Sequence, residues 1–448
     1  MMRIRTAGVA VLALALTTGC GAVGGSTSQN EWTLIGTTPD QQHLLITTLF
    51  GGVASDCTRW EGWEINETPE QVEVKAQVWR KRFPSGCTDE GIIKTIDVGL
   101  AEPLGDRQLV GCGTDDCLTR KPQPWMSSNT AIAATPGAGV VVAGDYQITG
   151  VDPGGEIRWQ EQSWPNSLAG VTGDVVVTSD GRHAVGRNPS TGDELWSDEG
   201  AQAVVGDDAV LMCRGSDAES VAFLDGATGV EAWTADTPCE MVVVGSDVVT
   251  IIGRDPDIDG GSELVLLDAT TGDLVLSRAI DDGIDDQVEG FDGAIAAGDR
   301  VVVGGQQADL VVLGPGGEEL LRRPSGLGTP IGYAGGAIIV ASPLRVTAID
   351  PDTGESIWVS GDLNQSTVTV SGNAIWALDP AAGVVARLDP QTGNRVWTAP
   401  VGLSYSFAVA ADDTTAYVAT ALAVVALDAN TGEQLWWQHI PYEQPDGE

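Results

Sequence analysis

The sequence predicts an all-β chain, a β-propeller of about eight blades preceded by a small disulfide-containing antiparallel β module. Three observations carry this expectation. A phrase of the form apolar-Asp-x-x-Thr-Gly-Glu-x-x-Trp recurs eight times. The copies stand 37 to 45 residues apart, the length of a four-stranded blade. The segment before the first copy lacks the phrase but holds alternating apolar runs and four of the seven cysteines, Cys20 lying further upstream.

The chain opens MMRIRTAGVAVLALALTTGC. Arg3 and Arg5 form a positive start and Ala7 to Leu16 an apolar stretch of signal-peptide length, so residues 1–19 are expected to be a signal peptide. Leu16-Thr17-Thr18-Gly19-Cys20 resembles the lipobox of bacterial lipoproteins, with Thr17 where an apolar residue is usual. That resemblance implies that Cys20 becomes a lipidated N-terminus holding the protein to the cell membrane. A secreted protein with a free terminal cysteine is the other reading. Residues 20–30, rich in Gly and Ser, read as a flexible tether.

Residues 31–121 read as a small β module, from the runs HLLITTLF (43–50), QVEVKAQVW (71–79), IIKTIDVGL (92–100) and RQLVG (107–111). Setting Cys20 aside leaves Cys57, Cys87, Cys112, Cys117, Cys213 and Cys239, an even number in an exported chain and so a disulfide framework. Many pairings are open; proximity favours Cys57–Cys87, Cys112–Cys117 and Cys213–Cys239. No CxxC occurs, so a zinc knuckle or thioredoxin-type redox motif has no support. Residues 122–129 read as a linker.

Eight units fit residues 130–441, and 442–448 form an acidic tail. The last unit shows the texture: FAVAA, TTAYVAT and AVVALD, a turn at ANTG, then EQLWWQ. These are short β-branched or small-apolar runs bounded by turn residues. The Asp-x-x-Thr-Gly element reads as the turn between third and fourth strands, with Gly supplying positive φ. The Trp beyond it offers a broad face to the adjacent blade. These positions are Trp159, Trp196, Trp233, Trp358, Trp397 and Trp436, with Leu276 and Leu321 standing in for two.

The phrase resembles the tryptophan-docking motif of PQQ-like propellers, Ala-x-Asp-x-x-x-Gly-x-x-x-Trp in outline, shared by quinoprotein alcohol dehydrogenases and BamB-like assembly lipoproteins. The resemblance spans about 310 of the 448 residues. It implies an architectural role for the Trp residues. For the dehydrogenases it would imply a vicinal Cys-Cys pair over the quinone and a calcium set with a catalytic Asp. No Cys-Cys dipeptide and no CxxCH occur.

Composition narrows function further. The formal charge is −40, from 63 acidic and 23 basic residues, which argues against nucleic acid as a partner. The three histidines, His43, His183 and His439, are far apart in sequence, so a multi-His metal site or a Ser-His-Asp triad is not expected. Asp255, Asp257 and Asp259, followed by Gly260, match the opening of a calcium loop, but the twelfth position is Leu266 where an EF-hand needs Glu. An acidic inter-strand loop and a weak calcium site both stay open there, and Asp281, Asp282, Asp285 and Asp286 form a second such cluster. The expected function is a monomeric, membrane-anchored propeller scaffold binding a cell-envelope protein or glycan, with no cofactor required. The alternative is a PQQ- or small-molecule-dependent enzyme with its site in the central funnel.

Overall fold

The computed structural model of the protein describes residues 25–441 except 52–56, 82–90, 115–116, 119–130, 136, 145–146, 163–166, 180–181, 201, 207, 215–219, 238, 240, 245–247, 255–261, 281–292, 306–307, 325, 343–344, 361–362, 364–366, 380–381, 405–406 and 413. Cys20, Cys87, Asp255, Asp257 and Asp259, the second acidic cluster, the linker and the acidic tail therefore lie outside the described residues. Every regular element described is a strand.

The N-terminal module consists of β1 (Gly25–Asn30), β2 (Trp32–Thr37), β3 (His43–Gly51), β4 (Thr58–Glu67), β5 (Gln71–Lys81), β6 (Gly91–Gly99) and β7 (Gln108–Val110). Strands β2, β3 and β6 form one sheet; β1, β5 and β4 form a second, with β7 parallel to β5. Alternation in β5 sends Val72, Val74, Ala76 and Val78 inward, all fully buried. Val72, Val74 and Ala76 pack with Trp32, Leu34, Leu44 and Ile46 of the other sheet, and the Trp32 indole donates to the Val74 carbonyl at 2.8 Å. The Cys112–Cys117 disulfide closes this core. Cys57 is buried and disulfide-bonded.

Part of the segment expected as a tether, Gly25–Asn30, is a strand. Gly25–Asn30 pairs along the edge of β5, Gly25 opposite Lys81 and Asn30 opposite Ala76. GSTSQN carries no apolar alternation, so it reads as linker. An edge strand needs only a partner's free amides and carbonyls, and Asn30 adds side-chain bonds to Thr48 and to Arg80.

Eight four-stranded antiparallel meanders follow, spanning 131–162, 167–199, 202–235, 241–280, 293–323, 329–360, 367–400 and 407–439. Their first strands are β8 (Ala131–Thr135), β12 (Ser167–Thr172), β16 (Gln202–Val205), β20 (Met241–Val244), β24 (Gly293–Ala297), β28 (Thr329–Ala334), β32 (Thr367–Ser371) and β36 (Phe407–Ala411). Each neighbours the first strand of the next sheet, and β36 neighbours β8, which closes the ring. These strands therefore line the centre of an eight-bladed propeller. Buried valines and leucines on facing sheet surfaces fill the space between blades, as between Leu224 and Val177 or Val311 and Leu264. The meander places the first-to-second and third-to-fourth turns on one face of the ring. The second-to-third turns and the links between blades lie on the other.

Candidate functional site

The recurring phrase assembles a docking seam between each pair of blades. The turn carboxylate accepts backbone amides, as Asp268 Oδ1 does from Thr270 and Thr271 at 2.9 Å each. These bonds hold the carboxyls of Asp268, Asp350 and Asp428 below the ordinary carboxylate value, since they stabilise the ionised form, and at Asp225 the Thr228 hydroxyl does so first and the amides second. The turn Gly then presents its bare Cα to the indole of the preceding blade: a Cβ on Gly432 would lie 2.6 Å from the Trp397 ring. Each indole N–H donates to the next blade's turn. Trp159 bonds Pro189, Trp196 bonds Gly226, Trp233 bonds Ala269, Trp358 bonds Pro390 and Trp397 bonds Ala429, at 2.8–3.1 Å. Trp436 bonds Pro153 of the first blade at 2.8 Å and closes the circle. The sequence marked these glycines as turn residues, and the stacking that makes them indispensable is visible only in three dimensions.

Where Leu replaces Trp the indole donor is missing. At the Leu321 seam the corresponding carbonyl is Pro351, and Arg300 Nη1 donates to it at 2.8 Å while Nη2 holds Asp352 at 2.6 Å. A guanidinium from the second strand of the fifth blade has taken over the indole's bond.

The funnel wall carries little chemistry. The eight inner strands read AIAAT, SLAGVT, QAVV, MVVV, GAIAA, TPIGYA, TVTVS and FAVAA. Tyr333 is their one ionisable side chain, with no carboxylate, imidazole or cation beside it on those strands. An anionic quinone cofactor and its divalent ion call for cationic and carboxylate partners. These strands do not fit such a group.

A polar cluster lies where the N-terminal module meets the eighth blade. Thr37 donates its amide to Leu403 O at 2.6 Å and accepts the Leu403 amide on Oγ1 at 3.0 Å. Gly36 bridges to Ser404, and Ile35, Leu45 and Leu422 are buried together beside them. Leu403 lies in the link into β36; Leu422 is the turn between β37 (Thr415–Thr420) and β38 (Ala423–Asp428). The module thus sits on the face of inter-blade links. At the edge of this junction His43 Nδ1 lies 2.9 Å from Asp97 Oδ1, and His439 Nε2 lies 2.8 Å from Asp97 Oδ2. His43 and Asp97 belong to β3 and β6; His439 ends β39 (Gln434–His439) of the propeller. The two imidazoles stack with centroids 3.9 Å apart at 34°. Burial pushes the Asp97 carboxyl up, but the bonds and charge of His439 and His43 together outweigh it and leave it lowered.

This corrects the expectation that the histidines stay apart. Two of the three converge on one carboxylate, and His43, Asp97 and His439 are the group among the described residues whose donor atoms could hold a metal. Among the described residues Cys112–Cys117 and Cys213–Cys239 pair as proximity suggested, and such bonds belong to an oxidising compartment.

A closed ring of eight meanders, each docked on the next by an aromatic or aliphatic side chain over a turn glycine, defines a PQQ-like β-propeller repeat protein. The chain belongs to the family described as outer membrane protein assembly factor BamB, which matches residues 144–360 and 381–444. No curated protein matches it in sequence. Among solved structures it is similar to AztD from Citrobacter koseri in its apo form, at 13% identity and TM-score 0.51 over 70% of this chain and 97% of that one. The computationally designed Ika8 protein matches at 15% identity and TM-score 0.52, over 66% and 93% of the two chains. BamB from Moraxella catarrhalis matches at 21% identity and TM-score 0.49, over 66% and 96%. At these identities the structural likeness speaks to fold alone.

Proposed function

We propose that the protein is an exported scaffold, anchored to the cell membrane through a lipid on Cys20, that binds a cell-envelope protein or glycan on the face carrying the N-terminal module. The observation that carries binding over catalysis is the funnel wall, whose inner strands offer no acid–base pair and no cation. The choice of face rests on loop length. On the far face both the first-to-second and the third-to-fourth turns are short, whereas the strands ending at Arg254 and starting at Ser262, and those ending at Ile280 and starting at Gly293, are joined on the module face by longer connections. Variable loops on a rigid frame are where propellers and sandwiches carry recognition. The family's description as an assembly factor supports a protein partner in the envelope.

Three measurements test this. Photo-crosslinking residues placed in 281–292 should give discrete adducts in cells, and residues placed at Asn430 or Asp352 on the far face should not. Calorimetry with PQQ and Ca²⁺ should show no saturable heat; calcium-dependent quinone binding would overturn the scaffold reading and return attention to the funnel. Cys20→Ser should move the protein from the membrane to the soluble fraction.

A further inference from the structure

We propose that His43, Asp97 and His439 form a site for a single zinc-type dication that joins the N-terminal module to the eighth blade. The donor set is two imidazole nitrogens and one carboxylate, and the donor atoms all lie within 4.8 Å of one another. Zinc bonds of about 2.0–2.1 Å in a tetrahedral arrangement require donors about 3.3 Å apart. The two nitrogens lie 2.9 and 2.8 Å from different oxygens of Asp97, so binding one ion through a single carboxylate oxygen asks the side chains to shift within the 4.8 Å that already separates the three donors. Three protein ligands leave a fourth position for water, as in open zinc sites. Access exists, because the side chains of His43 and His439 are 32% and 20% exposed while Asp97 is 14% exposed.

The chemistry selects the ion class. Two nitrogens with one oxygen disfavour calcium and magnesium, which take oxygen donors, and suit zinc and its borderline neighbours. The formal charge of −40 raises the local concentration of any dication. Placement gives the site a consequence. Two ligands come from strands of the module and the third from the last strand of the propeller, so an ion held by all three ties together parts 342 residues apart in the chain. The inference does not rest on the scaffold reading, since a metal clamp at this junction is compatible with either role of the funnel.

The test uses the untagged full chain, stripped with a chelator and titrated with Zn²⁺. One ion per chain should bind, with a raised melting midpoint, and Co²⁺ in its place should give visible d–d absorption. His439→Ala and Asp97→Ala should each weaken binding at least tenfold, while His183→Ala leaves it unchanged. Uptake and Co²⁺ absorption that persist in the His43→Ala/His439→Ala double variant would overturn the proposal, as would a wild-type chain that binds no zinc. Should the variants fail to fold, diethyl pyrocarbonate labelling of the wild type decides. Zinc should protect His43 and His439 but not His183, and equal reactivity with and without zinc would refute the site.

Discussion

The docking seam predicts that the same substitution at two left-handed glycines costs different amounts. Gly432 has φ +74°, and a Cβ there would stand 2.6 Å from Trp397 Cδ2 and Cε3. Gly336, in the hairpin between β28 and β29 (Ala337–Ser342), has φ +83° with nothing within 4 Å of the same position. Alanine at either pays about 1–2 kcal/mol for left-handed backbone. At Gly432 the methyl must also displace the indole, an overpacking term of about 1–3 kcal/mol. Urea unfolding followed by circular dichroism should therefore place Gly336→Ala about 1–2 kcal/mol below the wild type and Gly432→Ala about 2–5 below. A double-mutant cycle isolates the cause: in a Trp397→Ala background the methyl has room, so Gly432→Ala should cost only the backbone term. Equal losses at the two glycines, or a Gly432→Ala cost unchanged by removing Trp397, would refute the stacking account.

Arg300→Met, which removes the donor to Pro351 at the Leu321 seam, should cost about 1 kcal/mol in the same assay, and Leu321→Trp in that background should restore part of it. Cys213→Ser with Cys239→Ser opens a disulfide spanning 26 residues, for which chain entropy gives about 3.5 kcal/mol; the midpoint in urea should fall accordingly, and reductant should lower it by less than it lowers the wild type's. The turn carboxylates give a pH dependence. Asp268 is held below its ordinary 3.8 by the Thr271 and Thr270 amides, so its contribution is present above that value and is lost as pH falls through the folded-state value. Asp268→Asn should therefore destabilise at pH 6, and its difference from wild type should shrink in melts taken below pH 4.

The propeller was legible because a repeat states its own architecture. Eight copies of one phrase at blade spacing give the strand count, the turn and the residue that docks, and Leu276 and Leu321 show the register even where Trp is lost. What the phrase could not reveal is compensation from elsewhere. Arg300 lies 51 residues before the carbonyl it serves, in a strand whose sequence RVVVG otherwise reads as blade core. The edge strand Gly25–Asn30 was illegible for a related reason, since its polar residues pair with β5 through backbone bonds and through Ser28 and Asn30 to Arg80, none of which leaves an apolar alternation.

The junction cluster was hidden by register and closure together. Leu45 pairs with Asp97 and His43 with Gly99, so His43 and Asp97 are diagonal neighbours on one face of the sheet. A slip of one residue would have put Asp97 on the opposite face. No spacing rule in the sequence specifies that register, because β3 and β6 are separated by two intervening strands of the other sheet. His439 arrives from the other end of the chain, and its position depends on the eighth blade closing against the first through Trp436 and Pro153. The site thus exists only once the ring is shut and the module has docked. A ligand held by all three residues would consequently report on the finished assembly of both parts, and any seam variant that opens the eighth blade should loosen it without touching a ligand.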